Sequence, residues 1–165
     1  MGIIEGTLGI LQNAGVPVAG TNEVQTITLS AAPASGSFYL EFEGFRTTEL
    51  AFNISAAAMA AALNALPSIG AAGVGVGLVG QVYTVTFSGA NVAKRAQPLI
   101  TVPVNTLLDA GAAAVGAVVA EGTPGVTATC LGAAPGALLI DTTNKELYQN
   151  TGTAAAPTWT INAKA

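Results

Sequence analysis

The chain reads as an α+β protein that is mainly β: an antiparallel sheet or sandwich with one packed helix, an extended N-terminal arm and a C-terminal β-hairpin ribbon. Three observations lead there. Val24–Leu29, Phe38–Phe42 and Val82–Phe87 are rich in β-branched and aromatic residues, or alternate apolar with polar. That is the pattern of strands with one buried face. Only Ser55 to Leu66 carries helical spacing. Clusters of Gly, Pro, Ser and Asn cut the 165 residues into short pieces, as turn-connected strands require.

Residues 1–21, MGIIEGTLGILQNAGVPVAGT, hold apolar side chains without a sustained period. They describe an extended arm that either adds a strand to a neighbour's open sheet edge or packs on its own domain. Ile3, Ile4, Leu8, Ile10 and Leu11 are its candidate interface side chains.

A core domain follows over residues 22–122. Val24–Leu29 is its first strand and Ala31–Gly36 a loop. Phe38, Leu40 and Phe42 then alternate with Tyr39 and Glu41. Gly44 turns the chain, and Thr47 to Phe52 returns with Leu50 and Phe52 inward. The helix spans 55–66. Ser55 is its N-cap, and Ile54 can staple onto Met59. Ala56–Leu66 is made of strong helix formers, with Met59, Ala62, Leu63 and Leu66 on one face. Pro67 stops it. The opposite face is mostly alanine, so another element or subunit can approach closely. Strands at Gly73–Leu78, Val82–Phe87 and Pro98–Val102 come next. Ala113–Ala120 fits helix or strand, and its valines favour strand.

Gly122-Thr-Pro-Gly125 reads as a hinge-like linker, and residues 123–165 as an appendage. Ala137–Asp141 and Glu146–Gln149 pair as a hairpin across Thr142–Lys145, and Thr158–Ile161 adds a last strand. So small a ribbon needs packing against something larger. Tyr148 and the single Trp159 are its candidate interface side chains.

Charge is scarce. Charged residues make up 8% of the chain against ~25% in a typical domain. Hydrophobic residues make up 51% and the mean hydropathy is +0.58. This is the reverse of a disordered composition. A surface so poor in charge disperses a lone molecule badly, so the chain is expected to be covered by neighbours. The net charge of −4 leaves no cluster of Lys and Arg for phosphate, and Lys94–Arg95 is the one basic pair. Nucleic acid is not expected as a partner. The small-apolar run Ala110–Ala120 is too short to span a bilayer. The N-terminus lacks the basic region of an export signal. Neither export nor membrane insertion is expected.

Catalysis has little to work with. Cys130 is the single cysteine, and there is no His to activate it. It reads as a small buried apolar residue in a strand. Gly75-Val-Gly-Leu-Val-Gly80 matches G-x-G-x-x-G, but a strand follows it and residues 93–105 hold no acid. These glycines read as permitting tight backbone packing or a bent strand. Glu41, Glu43 and Glu49 read as the solvated side of a hairpin. Asp141, Asn144 and Glu146 lack the ligand number and central Gly of a calcium loop and read as turn chemistry. No catalytic, cofactor-binding or metal-binding residue is assigned, and no enzyme is expected.

Two stretches nevertheless have a family look. Residues 23–102 combine VQTITL, FNISAAAMAAALNAL and VYTVTFSGA, and they resemble a module of tailed-bacteriophage structural proteins. The tail, GALLIDTTNKELYQNTGTAAAPTWT, resembles a ribbon of phage head decoration, head fibre and tail proteins. The family ribbon has Gly before Lys145, where this chain has Asn144. The resemblance implies a non-enzymatic virion structural protein. The expected form is a capsid decoration (cement) protein, on the outer surface of the head at capsomer junctions. Its expected partners are the major capsid protein and neighbouring copies of itself, as a dimer or trimer. It would be made in the host bacterial cytoplasm and end on the capsid surface. The alternative is a tail, fibre or baseplate component, or an adhesin-like module binding a host surface glycan. Aromatics at 5% weigh against that alternative.

Overall fold

Alternating apolar side chains dictate strands, and each strand needs a partner for its backbone groups. The computed structural model describes residues 10–13 and 15–164. In chain order these form β1 (Ile10–Asn13), β2 (Val24–Leu29), β3 (Ser37–Phe42), β4 (Phe45–Arg46) and β5 (Leu50–Ala51). Then come α1 (Ala56–Asn64), β6 (Val74–Val79), β7 (Val82–Phe87), β8 (Thr101–Asn105) and β9 (Ala117–Thr123). Last are β10 (Leu138–Asp141), β11 (Glu146–Asn150) and β12 (Trp159–Lys164). Among the described residues the protein is mainly β with one helix, an α+β chain. It divides into two units. One runs Asn22–Gly125; the other joins the chain up to Thr21 with Val126 onward.

The Asn22–Gly125 unit holds an antiparallel sheet in the order β6-β7-β2-β9 and a second sheet in which β4, β5 and β8 all pair with β3. Ile27 and Leu29, Tyr83, Val85 and Phe87, and Phe38, Leu40 and Phe42 point from these strands into one shared core. Phe42 and Phe87 meet with ring centroids 5.3 Å apart. α1 begins where the sequence places it: the Ala58 N–H donates to Ser55 Oγ at 3.2 Å. Met59 and Leu63 are fully buried, while Ala57, Ala58 and Ala61 remain exposed. The regular helix stops at Asn64, short of the expected Leu66. Asn64 turns its amide to β6, and Leu66 packs into the core from the following turn.

Three elements differ from their sequence reading, each through a side chain that replaces a backbone partner. The returning strand Thr47–Phe52 is broken. Thr47 Oγ1 accepts from the Leu40 N–H at 3.1 Å, a position a ladder carbonyl would fill, and only β4 and β5 remain regular. The strand expected at Pro98–Val102 starts later, at Thr101. The Gln25 amide donates to the Pro98 carbonyl at 2.8 Å and accepts from the Ile100 N–H at 2.9 Å, so this stretch is tied to a side chain. Pro103 falls where the β3–β8 register shifts, as a residue without an N–H should. Third, Gly122–Gly125 is not a free hinge. Gly122 and Thr123 complete β9, and the Gly125 N–H donates to buried Glu23. A Cβ at Gly125 would lie 2.1 Å from the Arg95 carbonyl oxygen.

The other unit is built on the sheet β1-β10-β11-β12. β10 and β11 form the expected hairpin, with Asp141 opposite Glu146. β12 adds to β11 antiparallel. Residues 10–13 of the expected arm run parallel to β10 on the edge of this sheet, and Thr21 bridges to Val126. Cys130 corrects the sequence reading. It lies in a turn at φ 52 and is half-buried rather than inside a strand. Burial pushes its thiol pKa up, away from reactivity.

Candidate interaction surface

The few charges serve the fold locally. Glu41 and Arg46 face each other across β3 and β4 as an exposed ion pair at 3.3 Å, an arrangement worth little in stability. Glu43 and Gly44, both at positive φ, form the two-residue turn between β3 and β4, the backbone a type I′ hairpin turn demands. The Ser37 hydroxyl donates to Glu49 beside a shallow depression lined by Gly36 and Ala51. Asp109 accepts from the N–H groups of Gly111 and Ala113. The Lys94 N–H donates to Asn22 Oδ1 at 3.0 Å.

Asp141 closes the β10–β11 turn. Its Oδ1 accepts from the Thr143 N–H at 2.8 Å and the Asn144 N–H at 3.2 Å, and its Oδ2 from Asn144 Nδ2 at 2.7 Å. Burial alone would push this carboxyl pKa up. The bonds from Asn144, Thr143 and the Gly15 backbone outweigh it and hold the pKa below the usual carboxylate value. Asp141 and Asn144 are therefore turn-formers, and Asn144 does with its amide what a glycine could not. Tyr148 donates to Glu146 Oε2 at 2.6 Å. That bond, and then burial, push its phenol pKa up to about 12. Among the described residues no three His, Cys, Asp or Glu side chains converge into a metal-binding group.

Of the expected interface residues, Ile3, Ile4 and Leu8 lie outside the described residues. Ile10 and Leu11 sit on β1, paired with Leu138 and Leu139. Tyr148 is 5% exposed, so little of its ring is left at the surface. Trp159 is half-buried and its indole N–H donates to the Thr129 carbonyl at 2.9 Å. It anchors its own unit and keeps part of the ring at the surface.

The sequence reading did not single out the outer face of the β6-β7-β2-β9 sheet. The register lines up Gly77, Thr84, Thr26 and Ala120 in one row, and Val79, Val82, Thr28 and Val118 in the next. No side chain in either row is charged. Val79 is 83% exposed and Val118 63%. Gly75 and Gly77 belong to this face, and a Cβ on either would meet nothing within 4 Å. Of the two readings of these glycines, tight backbone packing or a bent strand, the first does not hold at Gly75 and Gly77, which face open space. The signal was present in the strand alternation: reading Val24–Leu29 and Val82–Phe87 for their outward residues returns valine and threonine only.

Among the described residues no helix is long and apolar enough to cross a membrane. No protein-family model matches the chain, and no curated protein matches it. Among solved structures, a chain from Mycobacterium phage Patience aligns with 90% of this chain, at 16% identity and a TM-score of 0.43. The alignment covers 58% of that phage chain, so the present chain spans less than two thirds of its length.

Proposed function

We propose that the chain is a non-enzymatic structural protein of a tailed-bacteriophage particle, and within it a decoration protein that binds the outside of the head at capsomer junctions. The observation that carries this reading is the charge-free outer face of the β6-β7-β2-β9 sheet, with Val79 and Val118 largely exposed. The resemblance of residues 23–102 and of the tail to virion proteins supports it. A surface without charge loses little on being dried, because no ion has to be desolvated. Apolar area removed from water there contributes about 25 cal/mol per Å². Repetition over a shell then multiplies a weak contact, since each neighbouring contact is effectively intramolecular. On this reading the chain acts as glue, and its partners are the major capsid protein and further copies of itself.

The experiment uses heads that lack the protein, prepared from the phage that encodes it. Added protein should sediment with empty heads and raise the temperature at which they burst. Val79→Asp and Val118→Asp should weaken that binding while the circular dichroism stays unchanged. Full binding by both variants would overturn the role of this face. Binding to tails, fibres or host glycans with none to heads would overturn decoration itself.

A further inference from the structure

The backbone of β6 carries an inference that does not depend on where in a particle the chain resides. The Leu29 N–H donates to the Gln81 carbonyl and the Phe87 N–H to the Glu23 carbonyl, each at 2.9 Å. Gln81, Tyr83, Val85 and Phe87 thus turn their backbone groups toward β2. Val82, Thr84 and Thr86 must turn theirs toward β6, because an antiparallel strand alternates. Their partners are Val79, Gly77 and Gly75. Val74, Val76 and Leu78 therefore point their N–H and C=O groups away from the sheet, at its edge.

Asn64 of α1 occupies the first of these. Its Nδ2 donates to the Val74 carbonyl at 3.0 Å, and its Oδ1 accepts from the Val74 N–H at 2.8 Å. The side-chain amide stands in for a neighbouring strand. No described residue does the same for Val76 or Leu78. Leu78 is 41% exposed. Natural edge strands are normally blunted by charge, proline or a bulge. β6 reads VGVGLV, keeps an unbroken register with β7 and carries none of these.

We propose that β6 is a self-association edge, where two copies of this chain pair β6 to β6, antiparallel, across a two-fold axis at Gly77. Val76 then opposes Leu78 of the second copy, and the reverse. Both are hydrogen-bonded pairs, so all four open groups on each chain are used at once. Gly77 faces Gly77 in the intervening non-hydrogen-bonded pair, where Cα atoms come closest, at about 4.5 Å. The missing side chains leave room there. Such an arrangement is isologous and closes on itself. The occupant is a second copy because the open groups are spaced evenly about Gly77 and the edge is uncharged. Two chains of net charge −4 repel wherever acids meet, and none lies on β6. Ala57 and Ala61 lie on the side of α1 that carries Asn64 and are exposed, so the second copy meets small side chains there.

The test is sedimentation of the purified protein at rising concentration, with amide exchange. The wild type should form dimers, and the Val76 and Leu78 amides should slow by about tenfold or more as dimer forms. Val76→Pro removes an outward donor and leaves the β7 ladder intact. Gly77→Lys places two like charges at the axis. Both should be monomeric with unchanged circular dichroism, whereas Thr84→Lys, one strand inward on the same face, should remain dimeric. If the proline variant does not fold, the lysine variant carries the test alone. A wild type that stays monomeric throughout, or a Gly77→Lys variant that still dimerises, would overturn the pairing. A monomer that binds heads would overturn it and leave decoration standing; a dimer that ignores heads would do the reverse.

Discussion

Glu23 offers the sharpest test of how the Asn22–Gly125 unit is held together. It is 1% exposed. Its Oε1 accepts from Gln25 Nε2 at 2.7 Å, and its Oε2 from the N–H groups of Gln97 at 2.6 Å and Gly125 at 3.3 Å. One carboxylate thus ties the start of the unit to its end and to the loop before β8. In Glu23→Gln one acceptor oxygen becomes a donor. In one orientation the new NH2 group confronts two backbone N–H groups; in the other it confronts the Gln25 amide. Each orphaned buried donor costs about 1–3 kcal/mol, and the bonds lost are charge-assisted, hence strong. Relief from burying a charge offsets part of this. The net expectation is about 2–4 kcal/mol of destabilisation, a fall in melting temperature of about 10 °C or more for a unit near this size. Urea unfolding should show a lower midpoint at unchanged slope. Glu43→Gln, at an exposed turn, is the control and should stay within about 0.5 kcal/mol of wild type. A Glu23→Gln protein as stable as that control would refute the idea that this carboxylate staples the unit.

The remaining predictions concern the helix, the ribbon and the core. The Asp141 pKa is lowered in the folded state, so its stabilisation is present above the usual value of 3.8 and is lost as pH falls through the folded pKa. Acid unfolding followed by Trp159 fluorescence should show that loss, and Asp141→Ala should abolish its pH dependence. The raised Tyr148 pKa acts in the opposite direction. Its contribution is complete below pH 10 and disappears as pH rises through about 12, so Tyr148→Phe should remove one late step from the ultraviolet titration and leave that of Tyr83, whose phenol pKa burial also raises. Ser55→Ala should cost about 1 kcal/mol in urea unfolding by stripping the α1 cap. Leu63→Ala, at a fully buried position, should cost about 2–5 kcal/mol through the cavity it leaves.

The strands and the helix start were legible because their signals are local. Val24–Leu29 and Val82–Phe87 alternate, Ser55 precedes a run of alanines, and Asp141 with Asn144 forms a turn from neighbours in the chain. The misplaced elements share another property. Thr47, Gln25 and Asn64 each pair with backbone that lies far away in the fold or on another element. Composition marks such residues as polar and nothing more, so the broken return strand, the late start of β8 and the early end of α1 were hidden. Cys130 was misjudged for a similar reason: its apolar character suited a strand, but its backbone turns at φ 52.

The candidate surface divides along the same line. Scarcity of charge and the absence of histidine stand in the linear chain, since they need no knowledge of neighbours. Which uncharged residues line up across four strands, and which N–H groups of β6 lack a partner among the described residues, are properties of register. Register is a relation between segments distant in sequence, set by which strands pair and by the bulges and caps that fix their ends. A valine at position 79 is apolar in any fold, but only the pairing of β6 with β7 places it on an open face.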